Sequence, residues 1–197
     1  MSIHLGRLKK VELRDFFKDE ARDFTPWLAE ENNLELLGET LGLDIELEDT
    51  EVRIGKFSAD IVGLDRSSNR TIIIENQLEK TNHDHLGKII TYGGGKDAGI
   101  VIWICKKIQQ EHRKGLDYLN DISTEDYSFF GIEMELWRIG QSTPAPKFNI
   151  VVSPNEWSKS VKSATSTTRT LTDTKILQRE FWTELKDYFT DNNTFLS

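Results

Sequence analysis

Four side chains with chemistry to offer stand in two short neighbouring runs. "FSADIVGLD" carries Asp60, and "TIIIENQ" carries Glu75, Asn76 and Gln77. Between them lies "DRSSN", which is turn chemistry, so the runs read as an antiparallel hairpin. With the turn centred between Ser67 and Ser68, paired positions sum to 135 and Asp60 falls opposite Glu75. Directly opposed residues share a face, with Cβ atoms about 4.5–5.5 Å apart. Period-two alternation puts Gln77 on that face as well. A one-residue slip would turn Asp60 to the other face, so the reading rests on the register. Two carboxylates at the end of an apolar sheet need a shared proton, a basic partner or a divalent metal. No Lys or Arg lies on the same face nearby in sequence. Hard oxygen ligands with an amide alongside suit Mg2+ or Mn2+ better than zinc.

Elements that would position these groups are legible from period and punctuation. "FTPWLAEENNLELLGETLGLDI" reads as helix, with Thr25 as N-cap, Pro26 in the first turn and Gly42 as the stop. Asn32-Asn33 is the expected break within it. "EVRIGKFSADIVGLD" and "RTIIIENQL" are the strands of the hairpin. "NHDHLGKIITYGGG" is the next helix, with Leu86, Ile89, Ile90 and Gly93 on one face and the glycines at its end. His85, Lys88 and Tyr92 share a flanking face that would look into the cleft. "AGIVIWICKK" is a continuous apolar run, as expected of a central strand buried on both faces. "IQQEHRKGLDYLND" is amphipathic, with Ile108, Leu116 and Leu119 inward, His112 packed among them, and Glu111 and Arg113 at the surface. "FFGIEMELWRIG" alternates, which describes a strand with one solvated face. The strands at 71–77 and 100–105 with the helix at 83–92 form a βαβ unit, whose crossover should be right-handed.

The composition is that of an ordinary globular protein, 37% hydrophobic and 29% charged. No apolar run is long enough to cross a bilayer, so no membrane is expected. "MSIHLGRLKKVELRDFF" is not a secretory signal. A single cysteine, Cys105, excludes an intrachain disulfide and a Cys-rich zinc site. A cytoplasmic protein fits all of this. The formal net charge is -8, which argues against a broad basic surface. Glu30 to Asp60 holds ten acids and two bases, so the rest of the chain is near neutral. After residue 152, "SKSVKSATSTTRTLTDT" reads as a Ser/Thr-rich linker over 153–173. Residues 174–197 carry an amphipathic helical pattern, the expected start of a second domain.

"FSADIVGLD…TIIIENQ" resembles the active-site hairpin of PD-(D/E)XK nucleases, which have the restriction-endonuclease-like fold. Asp60 matches the aspartate, Glu75 the second acid and Gln77 the lysine position, an E-x-Q variant; Ala59 replaces the proline. "FTPWLAEENNLELLGETLGL", "IGKFSADIV", "IIIENQLEKTNHDHLGKIITYGGG", "VIWICKKIQQEHRKGLDYLN" and "FFGIEMELWRIG" resemble, in order, a group of prokaryotic nuclease-like proteins. In many of those a further domain opens with a segment like "REFWTELKDYF".

This resemblance implies an α/β fold over residues 1–152, with a mixed central sheet in the order α-β-β-β-α-β flanked by helices. It also implies Mg2+- or Mn2+-dependent hydrolysis of DNA phosphodiesters, in prokaryotic defence or DNA processing. Asp60, Glu75 and the Asn76 carbonyl would hold the metal, and Gln77 would orient the water. Lys88 would take the lysine's role, and Glu30, Glu31 or Glu51 would add a further acid, with His85 and Tyr92 alongside. A homodimer is expected where both strands are cut. The alternative is a catalytically inert module of the same fold that binds nucleic acid or a protein partner. A third reading takes His83 and His85 as the metal ligands of a different hydrolase. Trp103, Trp137 and Trp157 read as packing anchors.

Overall fold

Isoleucine-rich runs decide the centre of the molecule, as expected of strands with no solvated face. The structure is a computed structural model that describes residues 5–95 and 98–154. β5 (Ile100–Lys107) is buried from Ile100 to Cys105. It lies between β4 (Arg70–Lys80) and β6 (Ser128–Ile139), parallel to both. β3 (Phe57–Asp65) pairs antiparallel with β4, and β2 (Ile45–Ile54) pairs antiparallel with β3. At the other side, β1 (Leu8–Val11) and β7 (Ala145–Val152) both run antiparallel to β6. The sheet is therefore mixed and seven-stranded, in the order β1-β6-β5-β4-β3-β2 with β7 on β6.

Alternation divides the sheet residues between two cores. Ile72, Ile74, Ile100, Ile102 and Ile104 join Leu13, Phe24, Leu28, Leu34, Leu37 and Leu41 on one face. Those partners come from the N-terminal segments: α1 (Leu13–Phe16), a π-helical segment at Glu20–Phe24, α2 (Thr25–Leu28) and α3 (Glu31–Leu41). Ile73, Val101 and Trp103 face the other way, against Ile89, Tyr92 and Leu116. Those belong to α4 (His83–Gly95) and α5 (Gln110–Ile122). The α/β class with a mixed sheet flanked by helices is as the sequence implies.

Several local expectations are corrected. The run "EVRIGKFSADIVGLD" is two strands, because Gly55 takes φ 61° and turns the chain between β2 and β3. β1 is too short and too polar to show a strand signal of its own, and in β7 only the short run after Pro146 is apolar. The break in the helical region falls at Ala29–Glu30, where Glu30 adopts an extended conformation, and not at Asn32-Asn33. Thr25 is a buried first residue of α2 rather than its N-cap, which is Phe24. Ile90 is exposed on α4, while Tyr92 is buried in its place. The expected helix over 174–197, and the linker beyond residue 154, lie outside the described residues.

Candidate active site

The β3–β4 register sums to 135, from Asp65↔Arg70 to Ile61↔Ile74. Beyond that last pair the ladder stops, and the Asp60 side chain takes over from the backbone. Asn76 N–H donates to Asp60 Oδ2 at 2.6 Å. The carboxylate of β3 is thereby fixed to the backbone of β4 one residue past Glu75. Extending the β2–β3 register, from Thr50↔Ile61 and Val52↔Ala59, brings Glu51 beside Asp60. Glu51 has φ 54°, in the left-handed region that non-glycine residues seldom occupy.

Glu75 is fully buried. Its Oε1 accepts from Lys88 Nζ on α4, and His85 Nε2 lies 3.7 Å from the same oxygen. Among the described residues its Oε2 has no well-aligned hydrogen bond, although the nearby Tyr92 hydroxyl helps to hold the carboxylate's pKa down. Tyr92, one turn after Lys88, donates its hydroxyl to Ser58 O at 2.7 Å. Gln77 is buried, with Oε1 unpartnered among the described residues. Asn76 points to the opposite face, where Nδ2 donates to Thr25 Oγ1 at 2.9 Å and Oδ1 has no partner. The β3–β4 hairpin and α4 thus bring Asp60, Glu75, Lys88, His85 and Tyr92 together.

Burial raises Asp60 to about 7; Glu75 and Glu51 push the same way, against the Asn76 N–H and Lys88. Burial also raises Glu75, opposed by Lys88. Burial alone would lower Lys88, yet its bond to Glu75 and the field of Asp60 outweigh this and hold it as an ammonium. Burial first, and Lys88 second, depress His85 to about 4, so the ring is neutral. Asn82 Oδ1 accepts the backbone N–H of His85 at 3.0 Å, and His85 Nδ1 lies 2.9 Å from the same oxygen. The ring also meets the Asn76 backbone, which works against the depression.

The structure places the predicted helix acids elsewhere. Glu30 Oε2 accepts from Asn33 Nδ2 at 3.3 Å at the start of α3. Glu31 lines a separate groove with Glu35, Glu39 and Arg66. Among the described residues, neither shares a hydrogen bond or ion pair with the Glu75 cluster. The helical acid that does approach is Glu20, ten residues earlier. Glu20 Oε1 accepts the Leu78 N–H at 2.9 Å and pairs with Arg14 Nη2 at 3.2 Å, and its charge acts on Lys88. A five-residue π-helical segment carries no 3.6-residue apolar period, so nothing in the sequence marked Glu20. His83 and His85 diverge. His83 Nδ1 pairs with His112 Nε2 at 2.9 Å, and His112 Nδ1 meets Thr81 Oγ1 at 2.7 Å. A shared metal on the two α4 histidines does not fit this arrangement.

Among the described residues, no three His, Cys, Asp or Glu side chains come together as a ready metal site. Asp60 and Glu75 nonetheless suit a hard cation: among the described residues Glu75 Oε2 is a buried carboxylate oxygen without a well-aligned hydrogen bond, and the two carboxylates lie close enough for their charges to interact.

No family model matches the chain, and no curated protein matches it. Two solved structures do. A repair endonuclease from Pyrococcus abyssi is 14% identical at a TM-score of 0.37, covering 46% of this chain and 42% of that one. The EndoMS–dsDNA2 complex is 15% identical at a TM-score of 0.38, covering 53% of this chain and 44% of that one. The match spans less than half the length of either. At these values the function has to be read from the geometry of the site.

Proposed function

We propose that this chain is a divalent-metal-dependent nuclease with a restriction-endonuclease-like core, hydrolysing phosphodiester bonds of DNA. The observation that carries the reading is one cluster: half-buried Asp60 and fully buried Glu75 on adjacent antiparallel strands, with the Lys88 ammonium on Glu75. Gln77 leaves the usual lysine place without a charge, and α4 supplies one from the other side of the same carboxylate. Asp60 and Glu75 would hold a Mg2+ or Mn2+ ion, with the Asn76 carbonyl as a further oxygen. Such an ion supplies Lewis-acid stabilisation and a more acidic bound water.

The chain's own residues do the rest. Lys88 offers a positive charge to a phosphate oxygen. Gln77 Oε1, buried and unpartnered, accepts a hydrogen from the attacking water and orients it. The Asn76 N–H holds Asp60 in place, and Tyr92 ties α4 to β3 through Ser58. A cut through both strands calls for two such sites, hence a homodimer.

Purified protein with plasmid DNA and Mg2+ or Mn2+ tests this. Cleavage should appear with metal and vanish with chelator. Asp60→Ala and Glu75→Ala should abolish it, and Lys88→Met should lower the rate by roughly 10²-fold or more. If Asp60→Ala and Glu75→Ala cut as well as wild type, the site is wrongly placed. If wild type binds DNA but never cuts it, the inert-module reading replaces this one.

A further inference from the structure

The candidate site leaves one charged surface of the same strand unused. β4 runs from Glu75 to Lys80, a rise of about 16 Å at roughly 3.3 Å per residue. Lys80 is paired in register with Lys107, the last residue of β5. Both are exposed. Like charges side by side on neighbouring strands are destabilising unless something negative covers them. Lys107 has such a partner in Glu133, at 3.0 Å. Lys80 makes no ion pair among the described residues. The two lysines line an open cleft of about 530 Å³ with Gln109, Glu111, Arg113 and Glu133. Among the described residues, Arg113 pairs only with the exposed Asp117, at 3.9 Å. The cleft therefore holds three cations against two carboxylates, one of them already engaged.

Among the described residues, a second groove has the opposite sign. Glu31, Glu35, Glu39, Asp44 and Glu46 line it against Arg66 alone. A polyanion lying across this acidic protein is repelled from the α3–β2 side and accepted at the ends of β4 and β5.

We infer that the cleft of Lys80, Lys107 and Arg113 is a docking surface for the phosphodiester backbone of the nucleic acid that reaches Glu75. The inference rests on the nuclease reading and extends it to the path of the bound strand. Lys80 lies about five axial phosphate spacings from Glu75, at roughly 3.4 Å each along one strand. The contacts are to phosphate, so they position the duplex and carry no sequence preference.

The test is equilibrium binding of a fluorescent duplex by anisotropy across a salt series, with Ca2+ in place of Mg2+. Wild type is compared with Lys80→Gln/Arg113→Gln and with Lys147→Gln, which removes a charge from the exposed side of β7. The double variant should bind at least tenfold more weakly, and its log–log salt slope should fall by about 2, near 0.9 per lost phosphate contact. Lys147→Gln should leave the slope unchanged, and thermal melts should show all three proteins folded. If the double variant keeps the wild-type slope while wild type binds and cuts, the cleft is not the docking surface and the nuclease reading stands. If wild type neither binds nor cuts duplex DNA, both fall together.

Discussion

Asp60 is the residue whose environment is most at odds with its charge. In the folded chain it keeps its proton up to about pH 7, while in the unfolded chain it gives it up near 3.9. The folded state therefore binds the extra proton between those values. Stability contributed by this group is present at the acid end of the window and is lost as pH rises through 7. Metal-free wild type should gain on the order of 2–4 kcal/mol between pH 7.5 and pH 5 relative to Asp60→Asn. Urea melts of the two proteins across that range check it, and parallel curves would show that Asp60 is an ordinary exposed acid. Added Mn2+ should stabilise wild type more at pH 8 than at pH 5.5, because the ion needs the carboxylate ionised. At this scale the sequence was informative where chemistry and register coincide. Asp60, Glu75 and Lys88 could be placed because a polar turn set the pairing and a helical period set the face. Glu20 could not, since its role depends on a π-helical segment folding back to the Leu78 N–H.

At the scale of elements, the site is held from both faces of the sheet. α4 meets Glu75 on one face, while Thr25 of α2 meets Asn76 on the other. Asn76 is also the residue whose N–H fixes Asp60, so α2 supports the site from behind. Thr25→Val keeps the volume and strands Asn76 Nδ2 in a buried position, which should cost about 1–3 kcal/mol. It should also lower kcat more than KM, because the lost bond orients a metal-holding residue rather than the substrate. Steady-state cleavage and thermal melts together check this; an unchanged melting temperature would mean that water replaces the hydroxyl. β4, β5 and β6 were legible as strands because their apolar runs are unbroken or cleanly alternating. β2 was not. Its acids hide the alternation, and Gly55 sits in a run that otherwise reads straight through.

For the whole molecule, those acids have a different meaning. β2 is an edge strand, and Glu46, Glu48, Asp49 and Glu51 line it with charge. An edge this long is a template for pairing with another chain, and like charges are a standard protection. Glu48→Val/Asp49→Val should self-associate at micromolar concentration, as seen by sedimentation velocity, while wild type shows no association through this edge. If the variant sediments as wild type does, the edge is protected by shape alone. The -8 net charge is therefore poor guidance to function: much of it guards one end of the sheet, far from the cationic cleft at the ends of β4 and β5.

Glu51 sets the limits of any attempt to engineer this protein. Its left-handed backbone suits glycine, which would remove a strain of roughly 1 kcal/mol. It would also delete a carboxylate that bears on Asp60, Glu75 and Tyr92. A selection for heat resistance alone would accept glycine there and erode the site as it did so. Thermostable variants of this chain should therefore be screened for turnover before they are screened for anything else.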